Sequence, residues 1–265
     1  MIKTILKPFV EIYKYRKIIY STTLYDIKTK YVGSMLGYIW LFLYPILFLG
    51  MYAFVYLMVF KIRLHILSPY EYVLLIFCGL IPFLSFSESI SRGVQAVTAN
   101  SNLIKNTLFP IEFIPVNIVL SSQILLIVGF FLLTIIMIFL GKAGISYFFI
   151  FPIFISQILF TIGIVWIISA INVFFKDLSQ IINIIVLMLM MISPIAYTED
   201  MIPENLRSFL YLNPLYYMII LYQKIFMFNE IDLRLFLIFA ILSLLHFVLG
   251  YHFFTKLKGV FNDYI

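Results

Sequence analysis

Aromatic residues recur at every fourth position of one apolar stretch near the start of the chain. The stretch carries Trp40, Tyr44, Phe48, Tyr52 and Tyr56. On a helix of 3.6 residues per turn this spacing drifts slowly around one broad face and covers ~24 Å of height. Tyrosine and tryptophan combine an apolar ring with a polar tip that needs a hydrogen-bond partner. The stripe therefore offers stacking surfaces and hydrogen bonds rather than acid–base chemistry.

Ionisable side chains that could form an active site are few and scattered. His246 and His252 are six residues apart, which places them on different faces of a helix and makes them a poor metal site. Glu88 and Arg92 are four apart, a spacing typical of a structural ion pair on one helix face. The single cysteine, Cys78, excludes an internal disulfide and a multi-cysteine metal site. No nucleotide-binding P-loop occurs in the sequence.

The composition indicates an integral membrane protein. The 265 residues are 64% hydrophobic and only 11% charged, with a mean hydropathy of +1.10. A soluble domain is about half apolar and about a quarter charged. A cytosolic enzyme, a DNA-binding domain and a disulfide scaffold are therefore excluded. The net charge of +6 is typical of basic residues that flank membrane spans, so we expect no nucleic-acid partner.

Six apolar stretches are long enough to predict membrane spans, so the predicted fold is an all-α membrane protein. The first begins near Gly37, and the others cover 72–92, 113–141, 143–175, 178–198 and 235–255. A seventh apolar run, 208–223, is short and is interrupted by Pro214. We predict that it forms an interfacial or re-entrant helix in a long outer loop, about 198–234.

Basic residues predict the orientation of the chain. With a cytoplasmic N-terminus and six spans, twelve of the 18 basic residues lie inside, so both termini are predicted to be cytoplasmic. Seven of the twelve fall within residues 1–33, among apolar residues at helical spacing: Ile5, Phe9, Ile12 and Tyr13. We expect 1–33 to form a basic amphipathic interfacial helix and an elbow, followed by a membrane domain over 34–265. A flexible basic leader that forms no helix is the alternative.

Four stretches resemble, in the same order and on the predicted sides, permeases of the type-2 ABC exporter family. They are Asp26-Ile-Lys-Thr-Lys-Tyr-Val-Gly-Ser-Met-Leu-Gly-Tyr-Ile-Trp40 with Tyr44-Pro45; Asn102-Leu-Ile-Lys105 with Phe109-Pro110, Glu112 and Pro115; Phe174-Phe-Lys-Asp177-Leu; and Ser193-Pro194, Tyr197, Pro203-Glu204, Arg207 and Asn213-Pro214. The resemblance is to the branch that exports lipid-linked polysaccharides, namely O-antigens, capsules and teichoic acids. It covers essentially the whole chain. Tyr25 and Lys176 depart from the pattern, since the family often has Arg at both places.

The resemblance implies a transport subunit in the bacterial cytoplasmic (inner) membrane, without catalysis of its own. It implies a homodimer, surrounded by membrane lipids, that binds two copies of a separate ATPase subunit. ATP and Mg would be held by that ATPase, and this chain would carry no cofactor and no metal. The substrate implied is a lipid-linked polysaccharide.

The resemblance also gives the polar segment at about 93–110 a role as the coupling region that rests on the ATPase. Its residues are Asn102, Leu103, Ile104, Lys105 and Asn106. Leu103 and Ile104 would supply an apolar anchor and Lys105 a charge at the rim. An ordinary solvated loop is the alternative.

Two further roles are predicted for the first span. The aromatic stripe would line a glycan channel at the dimer centre, because sugars stack on rings and hydrogen-bond to hydroxyls. Alternatively, the rings pack against other spans and hydrogen-bond within the protein. Gly33 and Gly37 are four apart, and small residues at that spacing allow close helix packing at an elbow. A flexible joint without packing is the alternative.

Two other functions remain open from the sequence. The same family could export a drug, an antibiotic or a small lipid. A membrane-embedded enzyme of glycan assembly would need a set of carboxylates, for which Glu199, Asp200 and Glu204 form the one available cluster.

Overall fold

The computed structural model describes residues 2–59, 68–106, 110–197, 202 and 204–264, and this part of the chain is helical with no strand. The α-helices are α1 (Ile2–Lys14), α2 (Arg16–Tyr31), α3 (Trp40–Ala53), α4 (Pro69–Gly93), α5 (Ser101–Asn106), α6 (Phe113–Phe139), α7 (Ile150–Phe174), α8 (Leu178–Ile192), α9 (Glu204–Leu210), α10 (Pro214–Gln223) and α11 (Leu233–Leu257). A π-helix, Phe54–Val59, continues α3, and a second, Lys224–Phe228, continues α10. The all-α prediction is confirmed.

Five helical segments of the described chain are long and apolar enough to cross a membrane. They are Gly37–Val59, Pro69–Gly93, Phe113–Phe139, Ile145–Phe174 and Leu233–Phe261. The predicted count of six is not confirmed, because α8 has only 15 residues. At 1.5 Å per residue it is ~22 Å long, which is short of the ~30 Å hydrocarbon layer. Ser193 ends α8 in an extended conformation, as expected for a residue that precedes a proline.

Helix α4 forms the centre of the bundle. In its most apolar stretch 83% of the residues are buried, and it packs against α3, α6, α7, α8 and α10. A capping box fixes its start, since the Ser68 hydroxyl accepts the Glu71 N–H and the Glu71 carboxylate accepts the Ser68 N–H. Glu71 also forms an ion pair with Lys142, which follows α6. In contrast, only 6% of the corresponding stretch of Gly37–Val59 is buried, so the first span lies at the edge of the bundle.

Close helix packing occurs at glycines other than those predicted. A Cβ at Gly163 of α7 would lie 2.4 Å from the backbone of His246 in α11, and a Cβ at Gly250 would lie 2.2 Å from the Gly163 carbonyl oxygen. Gly33 and Gly37 have no neighbouring atom within 4 Å of such a Cβ. Within the described part of one chain no close helix packing therefore occurs at these two glycines, and their role in an elbow stays a prediction. Both have positive φ, +85° and +50°, and they turn the chain between α2 and α3.

The segment that was predicted to be one interfacial helix forms two helices, α1 and α2, with Tyr15 between them. The Phe9 ring lies 4.8 Å from that of Phe247 in α11, and the Tyr15 ring lies 5.0 Å from that of Phe113 in α6. The Tyr251 hydroxyl donates a hydrogen bond to Glu11. Part of the apolar face of α1 therefore packs on the protein. The side chain of Ile5 lies outside the described residues.

The loop before the last span contains the expected helices, α9 and α10, and α10 packs within the bundle. Asn213 caps α10 by accepting the Leu215 N–H at 3.0 Å. Tyr216 and Tyr222 are buried, and the Tyr222 hydroxyl donates to Gln157 at 3.0 Å. These tyrosines are therefore core residues rather than anchors at the membrane surface.

Candidate functional site

The aromatic stripe borders two open clefts along its whole length. Trp40 and Tyr44 line the first, of about 330 Å³, at the end of α3 that follows the Gly33–Gly37 turn. Phe48, Tyr52 and Tyr56 line the second, of about 580 Å³, whose other wall carries Met190 and Met191 of α8. The stripe is therefore one continuous surface with open space on one side. Phe48, Tyr52 and Tyr56 also pack against the core of the bundle.

Ring contacts connect neighbouring members of the stripe. The rings of Tyr44 and Phe48 lie 4.9 Å apart and are tilted, whereas Tyr52 and Tyr56 are stacked at 6.0 Å with an angle of 4° between their planes. Tyr56 lies in the π-helix and contacts the edge of Tyr72 in α4 at 6.1 Å. Within the described chain, no protein group makes a hydrogen bond with the hydroxyl of Tyr44 or Tyr52. These two polar tips are available to a ligand or to water.

A charged cluster lies next to the first cleft and joins α2, α4 and α6. Its members are Asp26 and Lys30 of α2, Glu88 and Arg92 of α4, and Ser121 and Ser122 of α6. Arg92 binds both oxygens of Asp26, at 3.1 and 2.9 Å, and Lys30 Nζ lies 2.5 Å from Glu88 Oε1. The predicted Glu88–Arg92 ion pair is confirmed at 3.3 Å.

The partners on α2 were missed by the sequence reasoning. Asp26 and Lys30 are four residues apart, the same spacing and opposite charge that identified Glu88 and Arg92. That repeated pattern was the available signal. In the structure each carboxylate also contacts a cation of the other helix: Arg92 Nη2 donates to both oxygens of Asp26, and Lys30 contacts Glu88. These charge-assisted contacts hold α2 against α4.

The predicted coupling residues divide between the surface and the core. Asn102, Leu103 and Lys105 of α5 are exposed, whereas Ile104 is only 7% exposed and belongs to the core. Because Ile104 is covered by the protein itself, Leu103 is the apolar residue of this pair that a partner can contact. The side chain of Asn106 and residues 107–109 lie outside the described chain.

Hydrogen bonds hold both ends of this segment on the bundle. Asn172 of α7 donates to the Thr98 hydroxyl at 3.2 Å, just before α5. On the other side, the buried Glu112 carboxylate accepts Lys258 Nζ at 3.0 Å, and its carbonyl oxygen accepts the Trp166 indole N–H at 2.9 Å. These contacts join the residues on either side of α5 to α7 and to Lys258 at the end of α11.

Comparison with known proteins decides the family. Residues 19–227 match the profile of a family described as "ABC-2 type transporter".

The chain belongs to the ABC-2 type transporter family.

Similar proteins of this family carry names from the predicted branch. An "O-antigen export system permease protein RfbA" of Klebsiella pneumoniae is 32% identical over 245 residues, which cover 90% of this chain and 91% of that protein. A second of the same name and organism is 30% identical over 240 residues, again 90% and 91%. One from Myxococcus xanthus is 29% identical over 219 residues, 82% of each chain. The resemblance to ABC-2 permeases is confirmed.

Three of the features described above fall within the matched region of this ABC-2 transporter chain. The stripe, the charged cluster and α5 all lie between residues 19 and 227, whereas α1 and α11 lie outside it.

Other chemistry suggested by the sequence is not assembled in the described part of the transporter. His246 Nδ1 lies 2.8 Å from the Leu242 carbonyl oxygen, and Cys78 is fully buried. No group of three His, Cys, Asp or Glu residues in that part could hold a metal ion. The carboxylates of Glu199, Asp200 and Glu204 are outside the described residues.

Proposed function

We propose that this chain is the permease subunit of an ATP-driven transporter that exports a lipid-linked polysaccharide across the bacterial cytoplasmic membrane. The observation that carries the proposal is the similarity, over 90% of the chain, to proteins named as O-antigen export permeases. Export of a drug, an antibiotic or a small lipid is the alternative within the same family.

The aromatic stripe supports a polysaccharide as the substrate. A sugar ring presents an apolar face that stacks on an aromatic ring and hydroxyls that exchange hydrogen bonds with a tyrosine. Tyr44 and Tyr52 border open clefts, and their hydroxyls have no hydrogen bond to the described protein. A polymer sliding along the stripe would meet a ring at every turn of the helix, and no single ring would hold it tightly.

The same surface supports a homodimer with the stripe at its centre. Within one chain, other helices bury little of the surface of the first span. Helix α8 forms the other wall of the second cleft and also exposes apolar side chains. Among them are Ile184, Leu187 and Met191. A second copy that packs around these helices would enclose the two clefts between the protomers.

Coupling to ATP hydrolysis would run from the cytoplasmic side through α5 and α2. Two ATPase subunits would bind ATP and Mg and contact Leu103, with Lys105 at the rim. The contacts of Arg92 with Asp26, beside Trp40 and Tyr44, would transmit a movement of α2 to the start of the stripe. Both termini would be cytoplasmic in this arrangement.

Two experiments test the proposal. In a strain lacking the chain, lipid-linked polymer should accumulate inside the cell and disappear from its surface; unchanged surface polymer with reduced efflux of a drug or a small lipid would favour the alternative. The purified chain alone should not hydrolyse ATP, whereas the chain with its ATPase should form a complex of two copies of each. ATP hydrolysis by the chain alone would refute the assignment of ATP hydrolysis to a separate subunit.

A further inference from the structure

A cleft of about 570 Å³ lies at the opposite end of the bundle from the charged cluster, between α10, the π-helix Lys224–Phe228 and the start of α11. Its lining contains apolar side chains, among them Ile220, Leu235 and Ile238. It also contains the charged residues Lys224, Asp232 and Arg234. The cleft is therefore amphiphilic.

The charged part has an excess of positive charge. Lys224 Nζ lies 2.6 Å from Asp232 Oδ2, and Asp232 also caps α11 by accepting the Leu235 N–H at 3.0 Å. Arg234 is exposed and has no ion-pair partner in the described chain. Glu230, the nearest other acidic residue in the sequence, is not part of the wall. Lys224 and Asp232 compensate each other, which leaves the charge of Arg234 for an anion.

The position of Arg234 specifies the kind of anion that can reach it. Arg234 is the second residue of α11, and α11 begins the span Leu233–Phe261. Its guanidinium therefore lies at a boundary of the hydrocarbon layer, at the level of lipid headgroups. The cleft is distinct from the two clefts along the stripe, because it shares no lining residue with either of them.

We propose that this cleft binds an anionic phospholipid. The phosphate would contact Arg234 and the free donors of Lys224, and an acyl chain would lie on Leu235 and Ile238. A zwitterionic lipid would bring its own cation close to Arg234, so it would bind more weakly. Tyr211, Tyr216 and Tyr217 also line the cleft, so a segment of the exported polymer could contact them, but it would leave the apolar side chains uncovered.

Native mass spectrometry of the full chain in mild detergent tests the proposal, with phosphatidylglycerol and phosphatidylcholine of identical acyl chains as probes. The wild type should retain more phosphatidylglycerol. Arg234→Gln should lower that retention by about fivefold, the size expected for one cation at a membrane surface, and should leave phosphatidylcholine unchanged. Arg207→Gln makes the same change of charge in α9, outside the cleft, and should retain phosphatidylglycerol like the wild type.

A second variant separates the apolar contribution from the charge. Ile238→Trp narrows the cleft and should lower the retention of both lipids. Equal retention of the two lipids by the wild type would overturn the proposal, as would identical behaviour of Arg234→Gln and Arg207→Gln. Displacement of bound phosphatidylglycerol by a soluble oligosaccharide would assign the cleft to the polymer instead. Arg234 is exposed, so we expect the unfolding temperature of its variant to stay unchanged.

Discussion

The hydroxyls of the stripe can be removed without disturbing the protein, which makes them the sharpest test of its role. Tyr44→Phe and Tyr52→Phe each delete one oxygen and keep the ring. Tyr72→Phe is the matched control, since Tyr72 contacts the stripe residue Tyr56 but its own hydroxyl is buried and donates to the Ala196 carbonyl oxygen at 2.6 Å. The three variants carry the same chemical change in different surroundings.

The structure predicts that Tyr72→Phe lowers stability, whereas Tyr44→Phe and Tyr52→Phe lower the export rate. Loss of the Tyr72 hydroxyl leaves the Ala196 carbonyl without that partner, which should lower the free energy of unfolding by about 1–3 kcal/mol. Loss of either stripe hydroxyl breaks no hydrogen bond within the described protein, so the change should stay within about 0.5 kcal/mol. If each hydroxyl gives the polymer a net hydrogen bond of about 0.5–1.5 kcal/mol, the export rate should fall about two- to tenfold per substitution.

Two measurements on each variant check these expectations. Thermal unfolding in detergent reports the stability of the chain. Pulse labelling of the polysaccharide, followed by its appearance at the cell surface, reports the export rate. Copurification of the ATPase subunit is the control for assembly and should be the same for all three variants. Tyr72→Phe should be less stable, and its export should follow the amount of folded protein.

Either of two results would refute the reasoning. Normal export by the double variant Tyr44→Phe with Tyr52→Phe would mean that the hydroxyls do not touch the polymer. A loss of stability in that double variant as large as in Tyr72→Phe would mean that the hydroxyls bond within the assembled protein, and the stripe would then be structural.

Three further predictions concern the other contacts. Asp26→Asn should weaken the charge-assisted contact with Arg92, so export should fall while the ATPase still copurifies; unchanged export would show that this contact of α2 does not act on the stripe. Leu103→Asp should reduce copurification of the ATPase without changing membrane insertion, and full copurification would place the contact elsewhere. Lys224 holds the pKa of Asp232 below its ordinary value of 3.8, so the stabilisation by this pair should be complete above about pH 4 and lost as the pH falls through the lowered pKa. The difference in unfolding temperature between the wild type and Asp232→Asn should therefore shrink in acid, and a constant difference would contradict this account.

The sequence by itself determined the helical membrane fold, most of the spans and the family. In lipid every backbone polar group must be satisfied within its own segment, so length and hydropathy are enough to predict a spanning helix. The Glu88–Arg92 pair was also predictable, because four residues on one helix are neighbours whatever surrounds them. Where a local signal was overlooked, as at Ser193 before Pro194, the predicted span was too long.

Only the tertiary structure decided which sides of the helices meet. It joined Asp26 to Arg92, placed Ile104 in the core, buried Tyr222, and formed the cleft at the start of α11. The spans are apolar around most of their circumference, so their hydropathy does not distinguish a side that faces protein from a side that faces lipid or a channel. That choice depends on contacts between residues far apart in the chain, because shape and hydrogen bonding rather than hydrophobicity drive helix association in a membrane.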